Sequence, residues 1–143
     1  MTSDTSAWVR RATLLAISIC FLNLWGFAAA DKFANGIPSW FADKFGKTFF
    51  ASFPGLSITF WILSVSELLG FALGVVALLR GEFLEKRPLR VLPWTLVWSL
   101  FVFLQLGFGQ WLTHEFSGAF QQFMYFCGTL VALNFVMQDH AKR

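Results

Sequence analysis

The sequence predicts an all-α fold: an integral membrane, up-down four-helix bundle with an interfacial amphipathic helix in its first external loop. Three observations lead there. Of the 143 residues, 57% are hydrophobic and only 13% are charged, a balance typical of membrane proteins. Four long apolar runs, at about 8–30, 56–79, 91–113 and 119–137, take up most of the chain. They leave no stretch from which a separate soluble domain could bury a core, so residues 1–143 are read as one transmembrane domain. The basic residues are also segregated by loop. Arg10, Arg11, Arg80, Lys86, Arg87, Arg90, Lys142 and Arg143 flank one side of the runs, and Lys32, Lys44 and Lys47 flank the other. By the positive-inside rule both termini are expected in the cytoplasm, with residues 31–55 outside and 80–90 a cytoplasmic loop. The net charge of +3 therefore points to topology, and no face interleaves basic and aromatic residues as a nucleic-acid partner would require.

Helix 1 is introduced by Arg10 and Arg11 and runs to Ala30. Its Ala28-Ala29-Ala30 end before Asp31 also resembles a secretory cleavage site, although the run exceeds the roughly 7–15 residues of a signal core. On either reading the following segment emerges outside. There Phe41, Phe45, Phe49 and Phe53 recur every fourth residue with Trp40 beside them, while Asp43, Lys44 and Lys47 fall largely away from the stripe. This pattern reads as a short helix lying at the interface, begun at Pro38 or Ser39 and ended by Pro54-Gly55. Two roles are open to it: a surface loop anchored by aromatics, or a lid over an outward-facing pocket.

Helix 2, Leu56 to Leu79, carries one ionisable residue, Glu67, near its centre. At about 1.5 Å per residue the run crosses the roughly 30 Å hydrocarbon core, with Glu67 roughly 16 Å deep. A charged group there costs about 2.5–3.5 kcal/mol even on lenient insertion scales, so it should face the bundle interior. Ser66, Gly70 and Gly74 lie along the same side, a small-residue face suited to close helix packing. Helix 3 begins near Pro93, and a short connector, His114 to Gly118, leads to helix 4. The short connections make successive helices antiparallel neighbours.

The remaining polar side chains are few. Asn23 and Gln105 lie in the outer half by the same arithmetic, and either is a candidate hydrogen-bond partner for Glu67, as is a helix 4 residue. Lys32 is the competing partner, out of reach if helix 1 ends at Ala30. Glu67, Asn23, Gln105 and Lys32 are thus the candidates for a polar pocket, against the simpler role of amides holding helices together. Cys20 and Cys127 are isolated, and His114 and His140 sit at opposite membrane faces, so no metal-ligand set is visible. No phosphate loop, nucleophile elbow or catalytic triad is present, and the isolated chain is expected to carry no enzymatic machinery of its own.

Gly26, Lys32 and Phe33 at the end of helix 1, the loop ending Phe53-Pro54-Gly55, and SELLGFALGVVALLRG of helix 2 together resemble the DoxX and DoxX-like membrane proteins. The resemblance covers roughly residues 12–85 by motif. Gly70 matches the glycine that follows the helix 2 glutamate, whereas Leu69 stands where many members have a second glycine. It implies a multi-pass inner-membrane protein, in some members tied to quinone-linked sulfur oxidation or thiol-redox complexes. Two functions follow as expectations. One is an accessory subunit of a redox-associated complex with an outward-facing pocket around Glu67, quinone being the cofactor the resemblance implies. The other is a structural or interaction subunit that packs a second copy or a partner protein through its GxxxG face.

Overall fold

The computed structural model describes residues 3–84 and 86–141. Among them the chain is helical throughout: α1 (Ser3–Asn35), α2 (Ser39–Phe45), a 3-10 turn (Phe49–Ala51), α3 (Leu56–Leu79), α4 (Leu92–Leu112) and α5 (Phe116–His140). α1, α3, α4 and α5 are each long and apolar enough to cross a membrane, which makes this a multi-pass membrane protein whose surroundings are a lipid bilayer.

α1 packs chiefly on α3 and α5 chiefly on α4, and the contact of α3 with α4 joins the two pairs. All four spans contribute to one core that includes Leu14 and Trp25 of α1, Ala77 of α3, Leu96 and Val102 of α4 and Val136 of α5. Close approach of α1 and α3 depends on glycine. A Cβ added at Gly70 would lie 2.9 Å from the Trp25 ring, and one at Gly74 would lie 3.5 Å from the Leu22 backbone. The Ser66, Gly70 and Gly74 face is therefore spent within the chain. Indole N–H groups tie the helices further: Trp25 donates to Ser99 Oγ and Trp98 to the Ser66 carbonyl, both at 2.8 Å.

Two elements depart from the sequence expectation. Helix 1 does not stop at Ala30 but continues to Asn35. Asn35 donates to Asp31 one turn earlier at 2.8 Å, which stabilises a polar turn that composition alone assigns to a loop. Gly36, at φ +68°, then closes the helix by donating its N–H to the Lys32 carbonyl. The aromatic stripe, conversely, is not one helix. α2 ends at Phe45, where the Thr48 hydroxyl and N–H both turn back to the Phe45 carbonyl, so Phe49 opens a separate 3-10 turn. Phe41 and Phe45 are buried, while Trp40 and Phe49 are exposed.

At the end of the bundle that carries the termini, Arg10 of α1 meets Asp139 of α5 at 3.0 Å. The connection between α3 and α4 is organised by Glu82, whose buried carboxylate accepts the N–H groups of Val91 (2.9 Å) and Leu92 (2.8 Å). It thereby satisfies donors that the first turn of α4 cannot pair internally. Arg80 stands 3.4 Å from the same carboxylate.

Candidate functional site

The far end of the bundle, opposite the Arg10–Asp139 pair, holds a cavity of about 730 Å³. It is bounded by the last turns of α1, by α2, by the first half of α3 and by the second half of α4. α2 forms its roof. Phe41 and Phe45 turn inward onto Phe60 of α3 because their i, i+4 spacing puts both rings on one side of the helix. Phe45 also lies over Gly109 of α4, where an added Cβ would sit 3.5 Å from the ring. The volume falls within the roughly 300–1,000 Å³ of small-molecule sites, and the mixture of aromatic walls with few polar groups is the usual composition of such sites.

The polar groups come from four helices, α1 to α4. Lys32, projecting from α1 into the cavity wall, reaches both carboxylate oxygens of Glu67, at 3.0 and 2.7 Å. Glu67 is 1% exposed, and the ammonium is the charge that makes a mid-span carboxylate tolerable. On the opposite side Lys44 of α2 donates to Gln110 Oε1 of α4 at 3.0 Å. Between them Gln105, which also lines the cavity, donates to the Ser66 hydroxyl at 3.4 Å.

Comparison of this chain with protein-family models, curated proteins and solved structures finds no match. The site therefore has to be read from its own residues.

Of the four candidates for the polar pocket, two meet. The sequence expects Asn23, Gln105 or a helix 4 residue beside Glu67, with Lys32 as the competing partner, and the observed partner is Lys32. The reason is the register of α1 on α3, in which Leu22 lies against Gly74, Trp25 against Gly70 and Phe71 against Gly26, so that Lys32, still on the helix, comes within reach of Glu67 through its alkyl stem. Gln105 bonds Ser66 instead of Glu67. Asn23 is exposed, lying two residues from both Phe21 and Trp25, on the side of α1 away from the core. Among the interfacial residues, Trp40, Phe41 and Phe45 line the cavity and Phe49 does not. Cys20 and Cys127 are free thiols.

Sequence reasoning missed Lys44 and Gln110 as a pair and Glu82 as a helix cap. Lys44 and Gln110 are 66 positions apart, and no periodicity links a loop lysine to a span amide. Glu82 had a readable signal: an acidic residue in a basic loop shortly before a helix whose early Pro93 has no N–H to offer.

Proposed function

We propose that this protein is an accessory subunit of a redox-associated, quinone- or thiol-linked complex of the cell inner membrane, with both termini cytoplasmic. Its outward-facing cavity takes a quinone-like or other small amphiphile, and a partner protein supplies the electrons. The observation that supports this most is the pairing of Lys32 with Glu67 beside the cavity. These two are among the residues that carry the DoxX-like resemblance, stand 35 positions apart and meet in space. A buried ion pair is weak as a stabilising device, since well-packed apolar residues commonly serve as well or better. Its placement where α1 lines a ligand-sized space therefore favours a role in binding or proton transfer over simple structural support.

The interaction-subunit reading loses the surface it was based on, because Gly70 and Gly74 already face Trp25 and Leu22 of the same chain. Purification with native lipids, followed by mass spectrometry of co-purifying quinones and proteins, tests the proposal. A bound quinone or related amphiphile that is lost in Glu67→Gln, with helical content unchanged, is the expected result. A stoichiometric protein partner with no retained small molecule overturns the ligand-binding part and returns the protein to the interaction class.

A further inference from the structure

The cavity contains a cation that the Lys32–Glu67 pair does not account for. Lys44 is half-buried, lines the cavity, and has a neutral partner, the Gln110 carbonyl at 3.0 Å. Among the described residues no carboxylate lies within salt-bridge distance of it. An ammonium carries three donors, and an amide oxygen accepts one of them without neutralising the charge. The only carboxylate among the lining residues is Asp31, which is exposed and takes the Asn35 amide. The rim thus presents an ammonium with no carboxylate partner of its own above walls formed by Phe41, Phe45, Phe60 and Phe108.

A second feature gives that site a direction. A groove of about 510 Å³ runs along the lipid-facing side of α3 and α4 through Trp61, Val65, Leu69 and Trp98. Ile62 lines both the groove and the cavity. The Gln105–Ser66 hydrogen bond also stands at this boundary, since Gln105 lines the cavity and Ser66 the groove. The cavity and the apolar groove thus adjoin at Ile62, with Lys44 at the cavity rim and apolar wall beyond, the head-out, tail-in order of an amphiphile in a single leaflet.

We infer that the cavity binds a single-chain amphiphile with an anionic carboxylate headgroup, the carboxylate on Lys44 and the hydrocarbon tail passing Ile62 into the groove between α3 and α4. This rests on the amphiphile-binding reading above and specifies its ligand class. A charge-assisted hydrogen bond from the ammonium replaces that to the Gln110 amide, and the tail covers apolar wall that the protein leaves open.

The test uses the purified full chain in phosphatidylcholine nanodiscs and the quenching of its tryptophan fluorescence, since Trp40 borders the cavity and Trp61 and Trp98 the groove. The probes are dibromostearate and its methyl ester, with decylubiquinone as a neutral competitor. Saturable quenching by the acid at a concentration about tenfold or more below that for the ester is expected. Lys44→Met should abolish that preference, Lys44→Arg should keep it, and both should retain the helical circular dichroism of the wild type. Ile62→Trp should weaken dibromostearate while leaving bromooctanoate, whose tail is too short to need the groove. Equal affinity for acid and ester, or an acid preference that survives Lys44→Met, overturns the inference while leaving a neutral-amphiphile cavity standing. Absence of saturable binding by dibromostearate, its methyl ester and decylubiquinone alike removes the cavity reading itself.

Discussion

Removing one member of the Lys32–Glu67 pair should cost far more than removing both. Glu67 is 1% exposed, so Lys32→Met leaves a carboxyl buried within a span without its cation, a change worth about 3–5 kcal/mol. Glu67→Leu is milder. The Lys32 side chain is 22% exposed and can lift its ammonium toward the bundle mouth, so the loss falls to about 1.5–3 kcal/mol, the contribution of a hydrogen bond to a charged group. In the double variant both charges are gone, and apolar side chains of similar length fill the space, which brings stability back to within about 1 kcal/mol of the wild type. The two substitutions should therefore be coupled by at least about 3.5 kcal/mol. Equilibrium unfolding in mixed micelles of mild detergent and dodecyl sulfate, followed by circular dichroism, measures all four proteins. If the single effects add to within about 0.5 kcal/mol, the pair carries no mutual energy and the argument for its importance fails.

Three other outcomes follow from the geometry. Gly70→Ala places a methyl 2.9 Å from a Trp25 ring held by Ser99 and should cost about 1–3 kcal/mol in the same unfolding assay, whereas Gly74→Ala, at 3.5 Å from Leu22, should be neutral or gain up to about 1 kcal/mol of helix propensity. Glu82→Gln weakens the acceptor that serves Val91 and Leu92 and should cost about 1–2 kcal/mol, with faster amide exchange confined to the first turn of α4. With Cys20 and Cys127 replaced by alanine, a cysteine at position 44 should react with an impermeant maleimide in intact cells and one at position 84 should not; the reverse pattern inverts the proposed topology.

The spans were legible because a bilayer demands a continuous apolar length, a requirement that hydropathy reports directly; α3 begins and ends where its composition says it should. The small-residue face of Ser66, Gly70 and Gly74 was legible as spacing, though nothing local identified α1 as what covers it. Partner assignment is where the reading failed. Depth counted from a helix 1 end at Ala30 leaves Lys32, the competing partner, out of reach, whereas the polar turn held by the Asp31–Asn35 side-chain bond carries it on the helix and it meets the carboxylate. Asn23 shows the complementary error, because a depth estimate carries no information about the azimuth of a side chain around its helix. The division of the aromatic stripe at Phe45 turned on the local bonds of Thr48, which a count of every fourth residue does not register.

The two ion pairs that span the chain also constrain the order in which it can be made. Lys32 is synthesised well before Glu67, and Arg10 before Asp139, so a ribosome delivers each cation long ahead of its counter-ion. A lysine without a partner is poorly accepted in the hydrocarbon interior, so the end of α1 has to wait at the headgroup level until α3 arrives and the two can sink together. Likewise, the Arg10–Asp139 contact can form only after the last turn of α5 has left the ribosome. A chain truncated before residue 139 would keep α1 packed on α3 and lose only the contact that joins the termini end of α1 to α5.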